Sequence, residues 1–368
     1  KNLQLNFTGL VDFSEAVRKY DFEAIVEYAD LNTLNFIKKD SISIFKSKVK
    51  MNMNSSSLDD AIGKIAFSNT EYINENDIYK FDKFNVSSRF EKDIRFVEFD
   101  SPDIIEGELK GRFFLKDLRE LFENSIGHIY TNYEPHKVNT NQSIDFNFKI
   151  YNKIVEVIYP EIELGKNTFI RGRVESNAEN FKLTFKSPKI KYFENFVNNI
   201  ELQVDNSNPL FNTYVEIDSL STKYYNVSKF NLINVTVNDT LFMRSEFTGG
   251  KRNKDIYNLS FYHTINGDNE SVIGFKQSDI TIKDNKWFIN EEQDKFHKIS
   301  FDKKLSKFNL DKFRVNHGNE EIQLSGFIRD STEKDIKLNF TNVDLSKITP
   351  DIDSLSLAGN VNGKLDLL

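Results

Sequence analysis

The feature that most constrains this chain is a two-residue alternation of apolar and polar side chains, which recurs in short runs along the sequence. The clearest runs have apolar residues at every second position: Ile144, Phe146, Phe148 and Ile150, then Phe181, Leu183 and Phe185. A period of two places alternate side chains on opposite faces of a β-strand. Clusters of Asn, Asp, Ser and Gly separate the runs and are typical of turns. The sequence therefore predicts many half-buried strands.

Composition agrees with strands that have one dry face and one wet face. The 368 residues include 34 Phe and 14 Tyr, which is more aromatic surface than a disordered tail carries. Yet 29% of the residues are charged and the mean hydropathy is -0.51. Each apolar side chain is thus matched, on average, by a polar neighbour, as in a sheet with one apolar face.

An internal repeat extends the pattern. The run 21–34 aligns without a gap on 335–348, and both copies show a strand followed by an Asp-Leu corner. In the first copy Glu and Ala favour a helix, but Phe22 and Val26 belong to an alternating run, so we predict a strand over 19–34. The match continues with one gap, since 40–44 resembles 353–357.

Glycines recur within the predicted strands. We interpret Gly107 to Leu115 and Gly359 to Leu367 as copies of one glycine-bearing hairpin. Glycine inside a strand marks bends and bulges where a sheet curls. The sequence therefore predicts a mainly β fold, an elongated, curved, repetitive sheet that forms an open hydrophobic trough.

One segment has helical spacing. Between Leu115 and Ile129 the apolar residues recur every three or four positions, with charged residues on the other side. We predict a short amphipathic helix near 115–131 that covers or plugs the sheet, with a membrane-surface helix as the alternative. The predicted organisation is a β-module over 1–114, the helix over 115–132, and further modules over 133–285 and 286–368, as one continuous elongated domain.

Catalytic and metal-binding patterns are weak in this sequence. There is no Cys, and the five His residues are scattered (His128, His136, His263, His297 and His317). Gly249, Gly250 and Lys251 lack the rest of a phosphate-loop motif. The pairs Asp351 with Asp353 and Asp268 with Glu270 lack the ligand ladder of a calcium loop. We expect no enzyme activity, no cofactor and no metal. A net charge of -7 without a basic block argues against nucleic-acid binding.

The order of these elements resembles the TamB family of the translocation and assembly module, within the AsmA-like bridge-like lipid transfer proteins. The resemblance is carried by Trp287 and Ile289, by 308–315 leading to Ile322, Leu324 and Gly326, by 342–345 and by 359–367. An earlier stretch from Gly63 through Ile65, Phe67, Tyr79 and Phe81 to Gly107 and Gly111 is similar to a further module. Together these motifs cover about half of the chain.

That resemblance implies a segment of a longer protein, periplasmic in a Gram-negative envelope and anchored to the inner membrane outside this segment. It also implies an outer-membrane barrel of the TamA type as a partner, reached through regions outside this segment. Phospholipid acyl chains would then be the cargo of the trough, with membranes at both ends of the full-length protein.

Candidate groove-lining residues follow from the alternation: Phe22, Val26, Ile144, Phe146, Phe148, Ile150, Phe181, Leu183, Phe185, Ile322, Leu324, Ile336, Leu338 and Phe340. A closed core between two packed sheets selects the same side chains, so both interpretations remain open at each position. The leading function is phospholipid conduction between the membranes in support of outer-membrane biogenesis. One alternative is a scaffold that assists outer-membrane protein assembly by β-augmentation. Another is an outer-membrane barrel, but the aromatic residues in the middle of the strands argue against it.

Overall fold

A computed structural model describes residues 2–129, 133–177, 180–250, 253–330, 333–349 and 357–367. The prediction of a mainly β, repetitive sheet is confirmed, because antiparallel strands dominate these residues. The chain divides into two compact units. The first unit comprises Lys1–Ser125 with His136–Phe193, and the second comprises Ile126–Pro135 with Glu194–Leu368.

The first unit contains strands β1 to β11, most of which pair with the next strand in the sequence. Their bounds are β1 Leu3–Asp12, β2 Arg18–Asp30, β3 Ser43–Ser55, β4 Ile62–Asn74, β5 Ile78–Glu91, β6 Ile94–Asp100, β7 Ile105–Arg112, β8 Ser143–Ile150, β9 Ile162–Leu164, β10 Thr168–Glu175 and β11 Lys182–Tyr192. β10 pairs with β8 and β11, and the short β9 pairs with β11. Register shifts in β1–β2, β2–β3 and β3–β4 mark bulges, which bend strands.

Short helices lie between these strands. Two 3-10 helices span Leu58–Asp60 and Leu115–Asp117, and the second runs directly into α1, Leu118–Gly127. Helix α2, Asn152–Ile158, connects β8 to β9. The predicted helix over 115–131 is thus present but shorter at its C-terminal end, because α1 ends at Gly127.

The second unit contains strands β12 to β24 and the one-turn helix α3, Leu345–Ile348. The strands are β12 Asn195–Asp205, β13 Thr213–Ser221, β14 Asn226–Val237, β15 Thr240–Gly249, β16 Asp255–Ile265, β17 Ser271–Phe275, β18 Ser278–Ile282, β19 Asn285–Ile289, β20 Lys298–Phe301, β21 Lys307–His317, β22 Glu320–Arg329, β23 Glu333–Asp344 and β24 Asn360–Leu367.

The sheet of the second unit forks. β16 pairs with β17 through residues 261–265 and with β18 through residues 256–258. β17 then pairs with β20, and β18 pairs with β19. Both branches meet again at β21, which pairs with β19 and with β20. The segment 290–297 connects the two branches.

The repeated corners are capped turns. The strand predicted over 19–34 is confirmed as β2, although it ends at Asp30. There the carboxylate of Asp30 accepts from Thr33 N at 3.0 Å and from Thr33 Oγ1 at 2.7 Å. In the other copy the Asp344 carboxylate accepts from Ser346 N at 3.0 Å and from Ser346 Oγ at 2.7 Å. An acidic side chain that caps the turn explains why both copies have Asp at this position.

The predicted glycine-bearing hairpin is wrong. Residues 105–112 form the single strand β7, and residues 360–367 form the single strand β24. Glycines at every fourth position resemble turn signals, but Gly107 and Gly111 lie within the strand at φ of 146° and 154°. They have the extended, positive-φ backbone that only glycine adopts freely.

Some sequence features fall outside the described residues: Lys251, the pair Asp351 with Asp353, and residues 353–356 of the repeat. Among the described residues, none of the helices has the length and apolar character needed to cross a membrane.

Candidate functional site

The antiparallel register places a continuous set of apolar residues of the first unit on one face. Going across β7, β8 and β10, Leu109 lies opposite Phe146, and Phe146 lies opposite Gly172. Further along the sheet, Phe67 lies opposite Val49 on one side and Phe84 on the other. We call this surface the apolar face.

The opposite face of the same strands is charged and paired. Glu23 lies between Lys48 and Lys50 at 3.4 and 3.0 Å, and Glu71 bonds Lys46 at 3.0 Å. Such exposed ion pairs add little stability, about 0 to 1 kcal/mol each. They do keep this face wet, so the apolar face is the one available to an apolar partner.

A row of phenylalanine rings crosses the apolar face from β3 to β8. Neighbouring ring centroids are 6.4, 5.8, 6.4 and 5.6 Å apart, in the order Phe45, Phe67, Phe84, Phe99 and Phe148. These are normal distances for interacting aromatic pairs. All five rings are half-buried, so each keeps part of its surface open to water. We call this row the Phe ladder.

Gly107 explains how the ladder passes β7. The register places Gly107 between Phe99 and Phe148. A Cβ atom at Gly107 would lie 2.0 Å from the carbonyl oxygen of Asn147 and 2.8 Å from Cδ1 of Phe148. Because Gly107 has no side chain, the rings on either side of β7 contact each other directly.

At one end the Phe ladder enters a pocket of about 400 Å³. Phe45, Phe67 and Phe84 belong to both the ladder and the pocket wall. The other lining residues come from the turn after β2, from strands β4 and β5, from the β6–β7 turn and from α2: Leu31, Ile37, Lys39, Asp40, Thr70, Tyr72, Phe81, Ile104, Ile154, Val157 and Ile158. Its volume lies within the range of about 300 to 1,000 Å³ typical of small-molecule sites, and its lining is almost wholly apolar.

Helix α2 is held over the pocket by polar contacts to β5. The Tyr79 hydroxyl donates to the Glu156 carbonyl at 3.3 Å, and Lys153 Nζ donates to the Lys80 carbonyl at 2.9 Å. On the apolar side, Val157 and Ile37 pack against the buried cluster that includes Phe81. The helix and the turn after β2 therefore form two walls on a floor of strands.

A buried polar cluster is built into the pocket wall. Asp40 is 7% exposed, and its carboxylate accepts from the Tyr72 hydroxyl. Ser43 Oγ also lies 3.1 Å from that hydroxyl. Burial, and the hydrogen bond to Asp40, raise the pKa of Tyr72 to about 12. The phenol thus stays protonated and donates to the carboxylate, which reduces the cost of burying that charge.

Near the N-terminal end of β8, around Ile144 and Phe146, the apolar face is covered. The Phe122 ring of α1 lies 5.3 Å from Phe146, and Leu121 is 1% exposed. The Asp117 carboxylate at the start of this helix accepts from Asn139 Nδ2 at 2.7 Å and Gln142 Nε2 at 2.8 Å. We call this region the closed part; its buried residues are Leu121, Ile144, Phe146, Val174 and Phe181.

Every predicted lining residue of the first unit lies on the apolar face. Ile144, Phe146 and Phe181 belong to the closed part and are buried. The remaining six are half-buried: Phe22, Val26, Phe148, Ile150, Leu183 and Phe185. Of these, Phe148 is part of the Phe ladder.

The predicted lining residues of the second unit also share a face. Ile322 lies opposite Phe340, Leu324 lies opposite Leu338, and Ile336 lies opposite Gly326. All five of these apolar side chains are half-buried. The second unit thus has an apolar face of its own.

The pocket is not among the features predicted from the sequence, since none of the predicted lining residues contributes to its wall. Phe67 and Phe81 were noted as parts of a module but not as lining residues. Helix α2 was not predicted at all, although Ile154, Val157 and Ile158 have helical spacing. That spacing was the available signal.

Among the described residues no group of three or more His, Asp or Glu is placed to hold a metal ion. No family model, no curated protein and no solved structure matches this chain.

Proposed function

We propose that this protein binds phospholipid acyl chains on the apolar face of its first unit and conducts them along the Phe ladder. The observation that carries the proposal is the continuity of the ladder with the pocket, through Phe45, Phe67 and Phe84. Within the part of the chain that the structure describes, only four phenylalanines are buried (Phe81, Phe113, Phe146 and Phe181), although the sequence contains 34. Such half-open apolar surface is typical of a site for an apolar partner.

The dimensions suit one acyl chain. Five strand spacings from β3 to β8 amount to about 24 Å at about 4.8 Å each. One leaflet holds an acyl chain within about 15 Å, half of the hydrocarbon thickness of a bilayer. Exposing a chain to water costs about 0.8 kcal/mol per methylene. A row of half-buried rings offsets much of that cost without holding any one lipid tightly.

The wider setting of the proposal comes from the sequence resemblance. In that setting the chain is a periplasmic segment of a TamB-like protein that is anchored to the inner membrane and works with a TamA-type barrel. Phospholipid would move between the inner and outer membranes and support outer-membrane biogenesis. A repetitive antiparallel sheet with an apolar face in each unit is compatible with this role.

A matched pair of variants on β6 tests the proposal. Phe99 belongs to the Phe ladder, whereas Phe96 is on the opposite face, where the Arg89 guanidinium lies 4.1 Å from its ring centre. Phe99→Glu should lower the phospholipid that co-purifies with the folded chain at least about tenfold, because an acyl chain would desolvate the new carboxylate. Phe96→Glu should leave it unchanged.

The readout is native mass spectrometry, with circular dichroism to confirm folding. Equal lipid occupancy in the two folded variants would contradict the proposal, and so would a wild-type chain that carries no lipid under gentle conditions.

A second candidate function rests on β1. Among the described residues this strand pairs with β2 alone, and no charged residue occurs between Leu3 and Val11. An uncharged, unpaired edge is a template for strand addition. The corresponding function is a scaffold that receives strands of outer-membrane proteins by β-augmentation.

Because the chain has no Cys, single cysteines can carry a photo-crosslinker at chosen sites. A label on Thr8→Cys in β1 should capture an added strand, whereas one on Ser68→Cys in the interior strand β4 should not. Equal capture at the two sites would exclude strand addition at β1.

A further inference from the structure

The fork in the second unit contains a depression of about 280 Å³. Three lysines line it: Lys276 directly after β17, Lys298 at the start of β20, and Lys295 in the segment 290–297. Elsewhere on this protein many lysines bond a nearby carboxylate. None of these three lies within ion-pair distance of a carboxylate among the described residues.

The strand register builds one wall of this depression. Tyr262 lies opposite Gly274, and Gly274 lies opposite Lys298. A Cβ atom at Gly274 would lie 2.3 Å from Cζ of Tyr262, so the tyrosine ring lies directly over the glycine. The Tyr262 ring is therefore held next to the strand that carries Lys298.

The segment 290–297 forms the opposite wall and is fixed by its own hydrogen bonds. Asn290, which is buried, donates to the Phe275 carbonyl at 2.8 Å and accepts from Asp294 N at 2.9 Å. Gln293 Nε2 donates to Gln277 Oε1 at 3.1 Å, which leaves the Gln277 amide nitrogen as a further donor. The wall is thus ordered before any ligand arrives.

The acidic groups near the depression are already engaged. Asp294 lines it, but its carboxylate binds Arg314 Nη2 and lies 3.0 Å from His297 Nδ1. Glu292 also bonds Arg314, at 3.1 Å. No carboxylate of the described residues therefore neutralises the three lysines, although the Lys276 ammonium lies 4.4 Å from the ring centre of Phe242 and that of Lys295 lies 6.0 Å from the ring centre of Phe296.

We propose that this depression binds a phosphate-type oxyanion, either free or carried on a lipid headgroup. Lysine ammonium groups are common phosphate ligands because each offers three donors and a full charge. The site belongs to the second unit alone and does not depend on acyl-chain binding in the first unit.

Lysine-to-glutamine variants of the full chain test the proposal. The probes are inorganic phosphate and short-chain phosphatidic acid, titrated by calorimetry at low ionic strength. The double variant Lys276→Gln with Lys298→Gln should weaken binding on the order of tenfold, since an exposed charge contributes up to about fivefold. The control is Lys303→Gln with Lys304→Gln, two exposed lysines in the turn after β20.

Loss of phosphate binding in the first double variant, and not in the control, supports the site. With that result, phosphatidic acid that binds more tightly than phosphate, and that loses this advantage in the Lys276→Gln, Lys298→Gln variant, assigns a lipid headgroup to the depression. Equal binding of the two probes, or an advantage that the variant keeps, assigns the free anion. Equal weakening in both double variants would overturn the proposal, because it would reflect net charge only. Absence of saturable binding to either probe would also overturn it.

Discussion

The two ends of β8 have the same sequence pattern and different surroundings. Ile144 and Phe146, in the closed part, are 0% and 6% exposed, whereas Phe148 is half-buried and lies in the Phe ladder. All three side chains point to the same face of the same strand. Helix α1 makes the difference, because its Phe122 packs on Phe146. A closed core and an open groove therefore coexist on one face, and the element above the strand decides which forms.

The largest expected effect on stability distinguishes the closed part from the Phe ladder. Phe146→Ala should lower the free energy of unfolding of the first unit by about 3 to 5 kcal/mol, as for other buried phenylalanines. Phe99→Ala in the Phe ladder should cost less than half of that, since its ring is already partly hydrated. Urea unfolding of the full chain measures both. Equal losses would mean that the ladder is part of a sealed core.

A glycine pair tests the packing of the Phe ladder. Gly107 and Gly363 have similar φ values of 146° and 141°, but a Cβ at Gly363 would have no atom within 4 Å. Gly363→Ala should therefore cost only backbone strain, about 1 to 3 kcal/mol. Gly107→Ala adds a clash with the neighbouring strand and should cost about 1 to 3 kcal/mol more. If the two variants lower the urea midpoint of unfolding by the same amount, Phe99 and Phe148 do not pack across Gly107.

Two tyrosines of one buried cluster, of which Tyr72 lines the pocket and Tyr79 does not, offer a smaller contrast in stability. The Tyr72 hydroxyl donates to the buried Asp40 carboxylate, whereas the Tyr79 hydroxyl donates to a neutral carbonyl. Tyr72→Phe leaves a buried charge without its donor and should cost about 2 kcal/mol. Tyr79→Phe should cost about 1 kcal/mol. Thermal and urea unfolding provide the comparison, and a reversed order would show that Asp40 does not depend on Tyr72.

The smallest expected effect is a change in the pH dependence of stability, and it concerns a histidine on the apolar face of the second unit. His263 lies opposite Leu241 and Ile273, and burial lowers its pKa below the usual 6.5. The unfolded chain therefore binds a proton at higher pH than the folded chain, so this residue costs stability as pH falls below about 6.5.

His263→Phe should remove that loss. The stability difference between pH 7.5 and pH 5.5 should shrink by up to about 1 kcal/mol relative to wild type. Urea unfolding at the two pH values measures the change, with His128→Phe as a control at an exposed site. An unchanged pH dependence would show that water reaches His263 freely.

The sequence was sufficient for the face of the alternating strands, and its helical spacing predicted the helix that covers part of the sheet. It did not show which side chains that helix buries. Alternation placed Phe148, Leu324 and Leu338 correctly, because the period of two is a local property of a strand. The Asp-Leu corners at Asp30 and Asp344 were also recognisable as repeats. Whether a side chain is buried depends on a helix that arrives from elsewhere in the chain, and alternation contains no information about that.

The pocket and the fork were harder to predict than the strands, for related reasons. The pocket joins four stretches of the sequence, 31–45, 67–84, Ile104 and 154–158. The β-branched residues of the last stretch favour a strand over the helix they form. The fork requires β17 and β18 to share β16, which is a choice of partners and not a sequence pattern. Both the pocket and the fork depend on contacts between residues that are far apart in the sequence.

Photolabelling with a phospholipid that carries a diazirine in its acyl chain tests the central claim most directly. Cross-linked peptides are mapped by mass spectrometry on the full chain. The account predicts labels on β4, β5 and β6 at Phe67, Phe84 and Phe99, and none on Phe146 beneath α1. Labels confined to the charged face, or equal labelling of Phe146 and Phe99, would contradict an open acyl-chain groove.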